Sequence, residues 1–316
     1  MKLPFSSLIL TILFNALLSN AAPFAAEKRA IDDNLLQTFR MMSQYASAAY
    51  CSNNLNSPGD QLQCGPGNCP LVDDADSATV LEYSRTETIT DVTGFVATDH
   101  TNKQIVVSFR GSQSIDNWLT NLDFALVPTD LCTSCTAHAG FWQSWLDARA
   151  TVVPAVKAAV ANYPAYKITV TGHSLGGAIA AFAATQLRNL GLGVALYTFG
   201  SPRIGGPVLS AYVSGQSGGN YRVTHWNDPV PRMPMVAMGY VHVSPEYYVG
   251  VKNGAAVGTG DVKVYDGAVN LFKGNSAWLR TDVEAHRWYL SRMGICADLK
   301  QKRGLEGLGL DVVARF

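Results

Sequence analysis

The sequence has no excess of charge of either sign, since 24 lysines and arginines balance 24 aspartates and glutamates among 316 residues. A nucleic-acid-binding protein usually carries a basic excess, so the charge balance argues against that class. Only 15% of the residues are charged and 47% are hydrophobic, which is typical of a globular chain with a sizeable core. The sequon Asn-x-Ser/Thr is also absent, so N-glycosylation is not indicated.

The chain beyond its N-terminal segment has no long hydrophobic run, which argues against a transmembrane helix in that part of the sequence. At the N-terminus, Lys2 precedes the apolar run "LILTILFNALL" and the small residues "SNAAP", a pattern typical of a secretory signal peptide. The alternative is a buried helix or a membrane anchor, but the run is short for a bilayer. We expect a signal peptide at 1–21 and a propeptide at 22–29 that ends in Lys28-Arg29.

Cysteine is scarce, with six residues in the chain. An even number of cysteines in a secreted protein predicts three disulfides, and six cysteines allow 15 pairings. Short spacing favours two local pairs, which leaves one long-range pair between the ends of the mature domain. The alternative for "CTSC" is a zinc or redox motif, although no second ligand pair is evident nearby. The expected pairs are Cys51–Cys296, Cys64–Cys69 and Cys132–Cys135.

Strand and helix patterns alternate along the rest of the chain. The runs "KQIVVSF", "YKITVTG", "VALYTFG", "NYRVTHW" and "GYVHVSPEYY" predict strands, whereas "QTFRMMSQYASAAYC", "SWLDARATVVPAVKAAVANY" and "LGGAIAAFAATQLRNL" predict helices. This alternation indicates an α/β fold with a mainly parallel central sheet flanked by helices. We expect a single domain at 30–300 and a C-terminal extension at 301–316, where Lys302-Arg303 is a second candidate processing site.

A serine lies between two glycines where one predicted strand meets the next predicted helix. Gly172, Ser174 and Gly176 fit the pattern G-x-S-x-G, which in α/β-hydrolases is a sharp turn that presents a nucleophilic serine. The pattern alone is weak, but the strand "KITV" before it and the Ala-rich helix after it supply the expected context. An ordinary turn between a strand and a helix is the alternative.

A serine hydroxyl becomes a nucleophile only when a base removes its proton and an acid orients that base. In α/β-hydrolases the acid and then the histidine follow the serine along the chain. Asp228, in "RVTHWNDPVPRMP", is the expected acid, and His286, in "EAHRWY", is the expected base with His242 as the alternative. His225 precedes Asp228 and so breaks the order. The other acids that precede a histidine are Glu246, Asp261, Asp266, Asp282 and Glu284.

The developing oxyanion of such a reaction needs preorganised donors. One is expected from the backbone N–H of Leu175, directly after the serine. The other is expected from Ser112, where the strand "IVVSF" turns away, although a helix N-cap at Ser112 or Ser114 is the alternative.

The segment that follows carries apolar residues at helical spacing. Ile115, Trp118 and Leu119 fall at positions i, i+3 and i+4, which predicts a short helix with one apolar face. Because this helix adjoins the expected oxyanion loop, we interpret it as a lid over the site. A helix packed into the core is the alternative.

Several stretches together resemble one family, the filamentous-fungal class 3 lipases. They are "SQYASAAYC", "VTGFVATDHTNKQIVVSFRG", "VVSFRGSQSIDNWLTNLDF", "TGHSLGGA", "GSPRIGG", "RVTHWNDPVPRMP", "GYVHVSPEYY" and "AHRWY". The resemblance spans Leu35 to Cys296 and includes the arrangement of the cysteines. The stretch "MPMVAMGY" and the C-terminal extension depart from the family pattern.

The resemblance implies a secreted triacylglycerol lipase with the α/β-hydrolase fold, active at a lipid–water interface without cofactor or metal. It assigns the nucleophile to Ser174, the acid to Asp228 and the base to His286, and it supports the expected oxyanion donors, lid tryptophan and disulfides. A monomer is expected. Feruloyl esterase and phospholipase A1 activity on the same scaffold are alternatives, and a noncatalytic binding module is a further one.

Overall fold

The computed structural model describes five stretches of the chain, namely residues 31–55, 57–65, 67–84, 90–115 and 123–297. The expected signal peptide, propeptide and C-terminal extension lie outside these stretches. Within the stretches, none of the helices has both the length and the apolar character needed to cross a bilayer.

An eight-stranded sheet forms the centre of the molecule, in the order β1-β2-β3-β6-β7-β8-β9-β10. Strands β3, β6, β7, β8 and β9 are parallel, and the strands at both edges pair antiparallel. A hairpin of β4 and β5 lies apart from this sheet. The strands are β1 Ser77–Ser84, β2 Thr93–Asp99, β3 Gln104–Phe109, β4 Leu126–Pro128, β5 Thr136–His138, β6 Lys167–His173, β7 Val194–Phe199, β8 Asn220–His225, β9 Glu246–Val249 and β10 Val262–Tyr265.

Helices cover both faces of the sheet, as the alternating pattern predicts. The α-helices are α1 Asp33–Ala48, α2 Pro70–Asp73, α3 Ala139–Asn162, α4 Leu175–Asn189, α5 Pro207–Gly215 and α6 Val283–His286. Short 3₁₀ turns lie at 52–54, 230–232, 236–238, 259–261 and 274–277. Helix α3 begins before the predicted helix, because the His138 side chain caps its first turn by accepting from Phe141 N–H at 3.3 Å.

Two apolar clusters, one on each face, hold these layers together. Helices α3 and α4 pack on one face around Trp145 and Phe182, and α1 packs on the other around Phe39 and Tyr45, all four fully buried. The central strands β3 and β6 are almost wholly buried because both faces are covered. This arrangement is the α/β-hydrolase fold expected from the sequence.

The strand predicted for "GYVHVSPEYY" is partly wrong. Strand β9 begins only at Glu246, and the preceding residues form an irregular connection with one isolated bridge at Val241. Pro245 explains the boundary, because proline has no N–H to contribute to a ladder inside a sheet. His242 therefore lies on a connecting segment and not on a strand.

Three disulfides are present, and they join the expected pairs. Cys51, just after α1, bonds to Cys296 with Cα atoms 4.9 Å apart across 245 positions of sequence. The other two close short loops, Cys64–Cys69 and Cys132–Cys135. The long-range bond ties the segment just after α1 to the C-terminal end of the described chain.

Candidate active site

Ser174 occupies the turn between β6 and α4 in a sterically disfavoured conformation. Its φ of 60° and ψ of −130° lie where non-glycine residues are rare, and such strain persists only where the surroundings enforce it. Its N–H donates to the Phe199 carbonyl at 2.9 Å. A Cβ at Gly172 would lie 2.2 Å from the Gly176 carbonyl oxygen, and one at Gly176 would lie 2.1 Å from that of Phe109. Both glycines are thus required for the turn to close against β3.

Asp228 and His286 form a buried pair at the C-terminal ends of the strands. Nδ1–H of His286 donates to Oδ2 of Asp228 at 2.7 Å, and neither side chain is accessible to solvent. The Tyr289 hydroxyl donates to the same oxygen, and Val230 N–H donates to Oδ1 at 2.8 Å. With three donors on it, the carboxylate is fixed in orientation. With Nδ1 protonated, the neutral imidazole presents Nε2 as a proton acceptor.

The His286 ring lies against the turn that carries Ser174. A Cβ at Gly200, the residue after Phe199, would lie 2.8 Å from Cε1 of His286. Ser174 Oγ and His286 Nε2 are both buried, and neither has a hydrogen-bond partner among the described residues. The His286 ring also lies 4.4 Å, centroid to centroid, from the ring of His173, the residue before Ser174, which places the base beside the serine turn. Catalytic hydrogen bonds often tighten only when substrate binds.

The alternative residues have other partners. His242 donates from Nε2 to the Pro231 carbonyl at 2.6 Å, and burial, together with Arg222 and Arg203 nearby, lowers its pKa well below the usual range. Glu246 accepts from Thr224. The side chains of Asp261 and Asp282 accept from nearby backbone N–H groups of their own turns. Of the sequence candidates, Asp228 and His286 are the acid and histidine found in direct contact.

His173, the residue before Ser174, was not singled out in the sequence. Its Nε2 contacts the carbonyl of His286 at 2.8 Å, and its Nδ1 contacts the Tyr50 hydroxyl at 2.8 Å. Because a carbonyl only accepts, Nε2 carries the proton and Nδ1 accepts from Tyr50. Burial, reinforced by His286, lowers the pKa of His173 well below its usual range, so the ring is neutral. It connects the serine turn to the backbone of the base.

Asn275, also missed in the sequence, holds the loop that carries Asp228. Its side-chain amide donates to the carbonyls of Asp228 at 2.9 Å and Trp226 at 3.1 Å. Trp226 adopts a φ of 35°, so the loop is sharply bent. No sequence signal pointed to this asparagine, because its partners are backbone atoms 47 and 49 positions away.

The expected oxyanion loop lies against the serine turn. A Cβ at Gly111 would lie 2.7 Å from the His173 carbonyl oxygen and 2.9 Å from Cβ of Ser174, so only glycine fits there. Ser112 follows directly and is partly exposed. Leu175 begins α4, where the first N–H groups lack partners inside the helix and the dipole favours negative charge.

Part of the expected lid lies outside the described residues. Ile115 is 8% exposed, whereas Trp118 and Leu119 fall in the gap between 115 and 123. The lid therefore stays a prediction from the sequence.

Comparison with known proteins places the chain among fungal lipases. Residues 106–238 match the family "Lipase (class 3)". A secreted mono- and diacylglycerol lipase A of Penicillium cyclopium is 45% identical over 87% of this chain and 90% of its own. A secreted mono- and diacylglycerol lipase 1 of Fusarium solani is 43% identical over 84% and 78% of the two chains.

Solved structures agree with this placement. The mono- and diacylglycerol lipase of Aspergillus oryzae superimposes with a TM-score of 0.79 at 43% identity, covering 83% of this chain and 98% of that one. The relatives and this structure each match the chain at 43–45% identity over most of its length. The chain belongs to the class 3 lipase family.

Proposed function

We propose that this lipase is a secreted enzyme that hydrolyses acylglycerol esters at a lipid–water interface through an acyl-enzyme on Ser174. The observation that carries the proposal is the buried Asp228–His286 contact of 2.7 Å beside a serine in a strained strand-to-helix turn. A buried carboxylate on Nδ1 of an imidazole, with Nε2 left free of other partners among the described residues, is the arrangement of a general base.

In the proposed reaction, His286 Nε2 takes the proton of the Ser174 hydroxyl as its oxygen attacks the ester carbonyl. Asp228 stays ionised and stabilises the imidazolium that forms. The tetrahedral intermediate collapses when His286 returns the proton to the departing glycerol oxygen. Water then attacks the acyl-enzyme as His286 takes its proton. His286 returns this proton to the Ser174 oxygen when the fatty acid is released.

The negative oxygen of the intermediate is proposed to bind the Leu175 N–H and Ser112. The position of Leu175 at the start of α4 supports this role, because the free N–H groups and the helix dipole both favour an anion there. The packing of Gly111 against Ser174 supports the role of Ser112, because it brings the following residue next to the nucleophile.

The proposed substrates are mono- and diacylglycerols. Two relatives at 43–45% identity bear names that state this activity, which supports partial acylglycerols over the triacylglycerols implied by the family resemblance. Triacylglycerol hydrolysis is kept as the second candidate. Phospholipid and feruloyl esters are the substrates that the same scaffold offers as further alternatives.

The test measures initial rates on emulsified monoolein, diolein and triolein, with phosphatidylcholine and methyl ferulate in parallel. We expect the two partial acylglycerols to be hydrolysed faster than triolein, and the last two substrates to be poor. Faster release from triolein would favour the second candidate, and preference for phosphatidylcholine or methyl ferulate would contradict both.

The variant Ser174→Ala tests whether the measured hydrolysis depends on the proposed nucleophile. We expect it to keep the fold, lose labelling by an active-serine phosphonate and lose at least about 10⁴-fold in kcat. A folded Ser174→Ala variant with near-parental activity would overturn the assignment of the nucleophile. Preserved thermal unfolding of the variant makes the loss of activity specific to the chemistry.

A further inference from the structure

The connection between β10 and α6 exposes an unusual concentration of apolar side chains. Five of the large apolar side chains exposed in the described part of the chain lie within the eleven residues 269–279, here called the apolar loop. Phe272 is 87% exposed and Leu279 is 100% exposed. Single exposed apolar residues are ordinary, but such a group marks an interaction surface. The five residues are Val269, Leu271, Phe272, Trp278 and Leu279.

The centre of this loop is anchored in the protein. Asn275 is 2% exposed, and besides holding the Asp228 loop its N–H donates to Glu246 Oε1 at 3.2 Å. A Cβ at Gly274 would lie 2.6 Å from Oε2 of the same glutamate. Because Asn275 is buried and lies between Phe272 and Leu279 along the chain, the backbone between these two exposed residues is fixed to the body of the protein.

The loop lies beside the proposed active site. The Trp278 carbonyl accepts from Arg232 at 2.7 Å, and the Trp278 ring centroid is 5.6 Å from that of Trp226. Both partners belong to the segment around Asp228. Trp278 thus joins the apolar loop to the loop that carries the proposed acid, Asp228.

A basic residue follows each of the two most exposed apolar side chains, Phe272 and Leu279. Lys273 follows Phe272, with its Nζ 6.0 Å from the Tyr265 ring centroid, and the exposed Arg280 follows Leu279. Apolar side chains that enter the acyl region, with an indole and basic groups at headgroup level, are the composition of a segment lying in a lipid interface.

We propose that the apolar loop is a lipid-docking element that inserts Phe272 and Leu279 into the surface of an acylglycerol aggregate, with Lys273 and Arg280 at the headgroup level. This inference rests on the proposed function and adds a contact outside the expected lid. A second copy of the chain is a poorer occupant, because a stable dimer buries about 800 Å² and about 20–30 residues per partner. The apolar loop has only eleven residues, and its two most exposed side chains are each followed by a cation.

Vesicle binding tests the proposal in the full chain carrying Ser174→Ala, which prevents turnover. The vesicles contain phosphatidylcholine and diolein, with or without phosphatidylglycerol, and bound protein is measured by sedimentation. We expect Phe272→Ser with Leu279→Ser to weaken partitioning at least about tenfold, since two apolar side chains no longer leave water. Leu190→Ser is the control, because Leu190 is 42% exposed at the end of α4 remote from Ser174.

Activity completes the test in the parent background. We expect the double variant to hydrolyse a dissolved p-nitrophenyl butyrate within about twofold of the parent, yet to lose about tenfold on emulsified diolein at low interfacial area. Partitioning equal to that of the parent would overturn the proposal. So would sedimentation velocity that showed a parental dimer abolished by the double variant. Absence of parental hydrolysis of the dissolved ester would instead contradict the proposed function.

Discussion

At the scale of single residues, His173 has the contacts of a positioning group. Its N–H fixes the carbonyl of His286, and its other nitrogen is held by Tyr50. The imidazole of His286 can reach Ser174 only if its backbone stays in place. Small displacements of reacting groups, of about 1 Å, cost up to about 100-fold in rate.

Replacing His173 by leucine removes the donor to the His286 carbonyl and leaves that oxygen unpaired in the interior. We expect His173→Leu to lower kcat on a dissolved ester by about 10- to 100-fold with KM changed less than about twofold. His173→Gln, whose amide keeps a donor, should recover most of the loss. Equal kcat losses in both variants, in step with their melting temperatures, would indicate that His173 serves stability alone.

Some site residues were predictable from the sequence and others were not. Ser174 lies in a local motif, and chain order excluded His225 and left His286 as the expected base, with His242 as the alternative. Tyr289 and Asn275 act through contacts with residues 47 to 61 positions away, and no local pattern encodes such partners. The sequence thus predicts residues defined by their own chemistry, whereas residues defined by the backbone atoms they reach require the fold.

At the scale of elements, strands buried on both faces were predictable because their β-branched runs are continuous. The start of β9 was predicted wrongly. The prediction gave more weight to the alternating apolar residues of "GYVHVSPEYY" than to the proline inside that run. The anchoring of residues 269–279 through Asn275 could not be predicted either, because that loop has no hydrophobic periodicity. The sequence therefore predicts elements that have a hydrophobic pattern of their own. It does not predict elements whose position depends on contacts with residues far away in the chain.

The Cys51–Cys296 disulfide joins the end of α1 to the segment after His286. It closes a loop of 245 positions, whereas Cys64–Cys69 closes one of 5. On the chain-entropy model, replacing the long-range pair by serines should lower the free energy of unfolding by about 5 kcal/mol, and replacing the short-range pair by about 2 kcal/mol. Denaturant unfolding of the two double variants measures the difference. Equal losses would contradict the entropic account and point to local packing around each bond.

At the scale of the whole molecule, buried neutral histidines connect folding to pH. His173, His225 and His242 are each at least 93% buried, and burial is the main cause that lowers the pKa of each. In the unfolded chain these groups titrate at about 6.5. Below that pH the unfolded state binds more protons than the folded state, so the free energy of unfolding falls as the pH falls.

His242 allows this linkage to be isolated. Above pH about 6.5 its imidazole is neutral in both states and contributes no slope. Below about pH 6.5, and above the much lower pKa of the buried ring, it is protonated only in the unfolded chain, which costs about 1.4 kcal/mol of stability per pH unit. His242→Gln keeps a donor for the Pro231 carbonyl but cannot titrate. As the pH falls below about 6.5, the free energy of unfolding of this variant should therefore fall less steeply than that of the parent, by about 1.4 kcal/mol per pH unit. Denaturant unfolding of parent and variant at pH 7.5, 6.5, 5.8 and 5.0 measures the two slopes, and carboxylates common to both cancel in the difference. Parallel slopes would mean that His242 also takes up its proton in the folded protein, which would contradict a pKa lowered by burial and by the nearby Arg222 and Arg203.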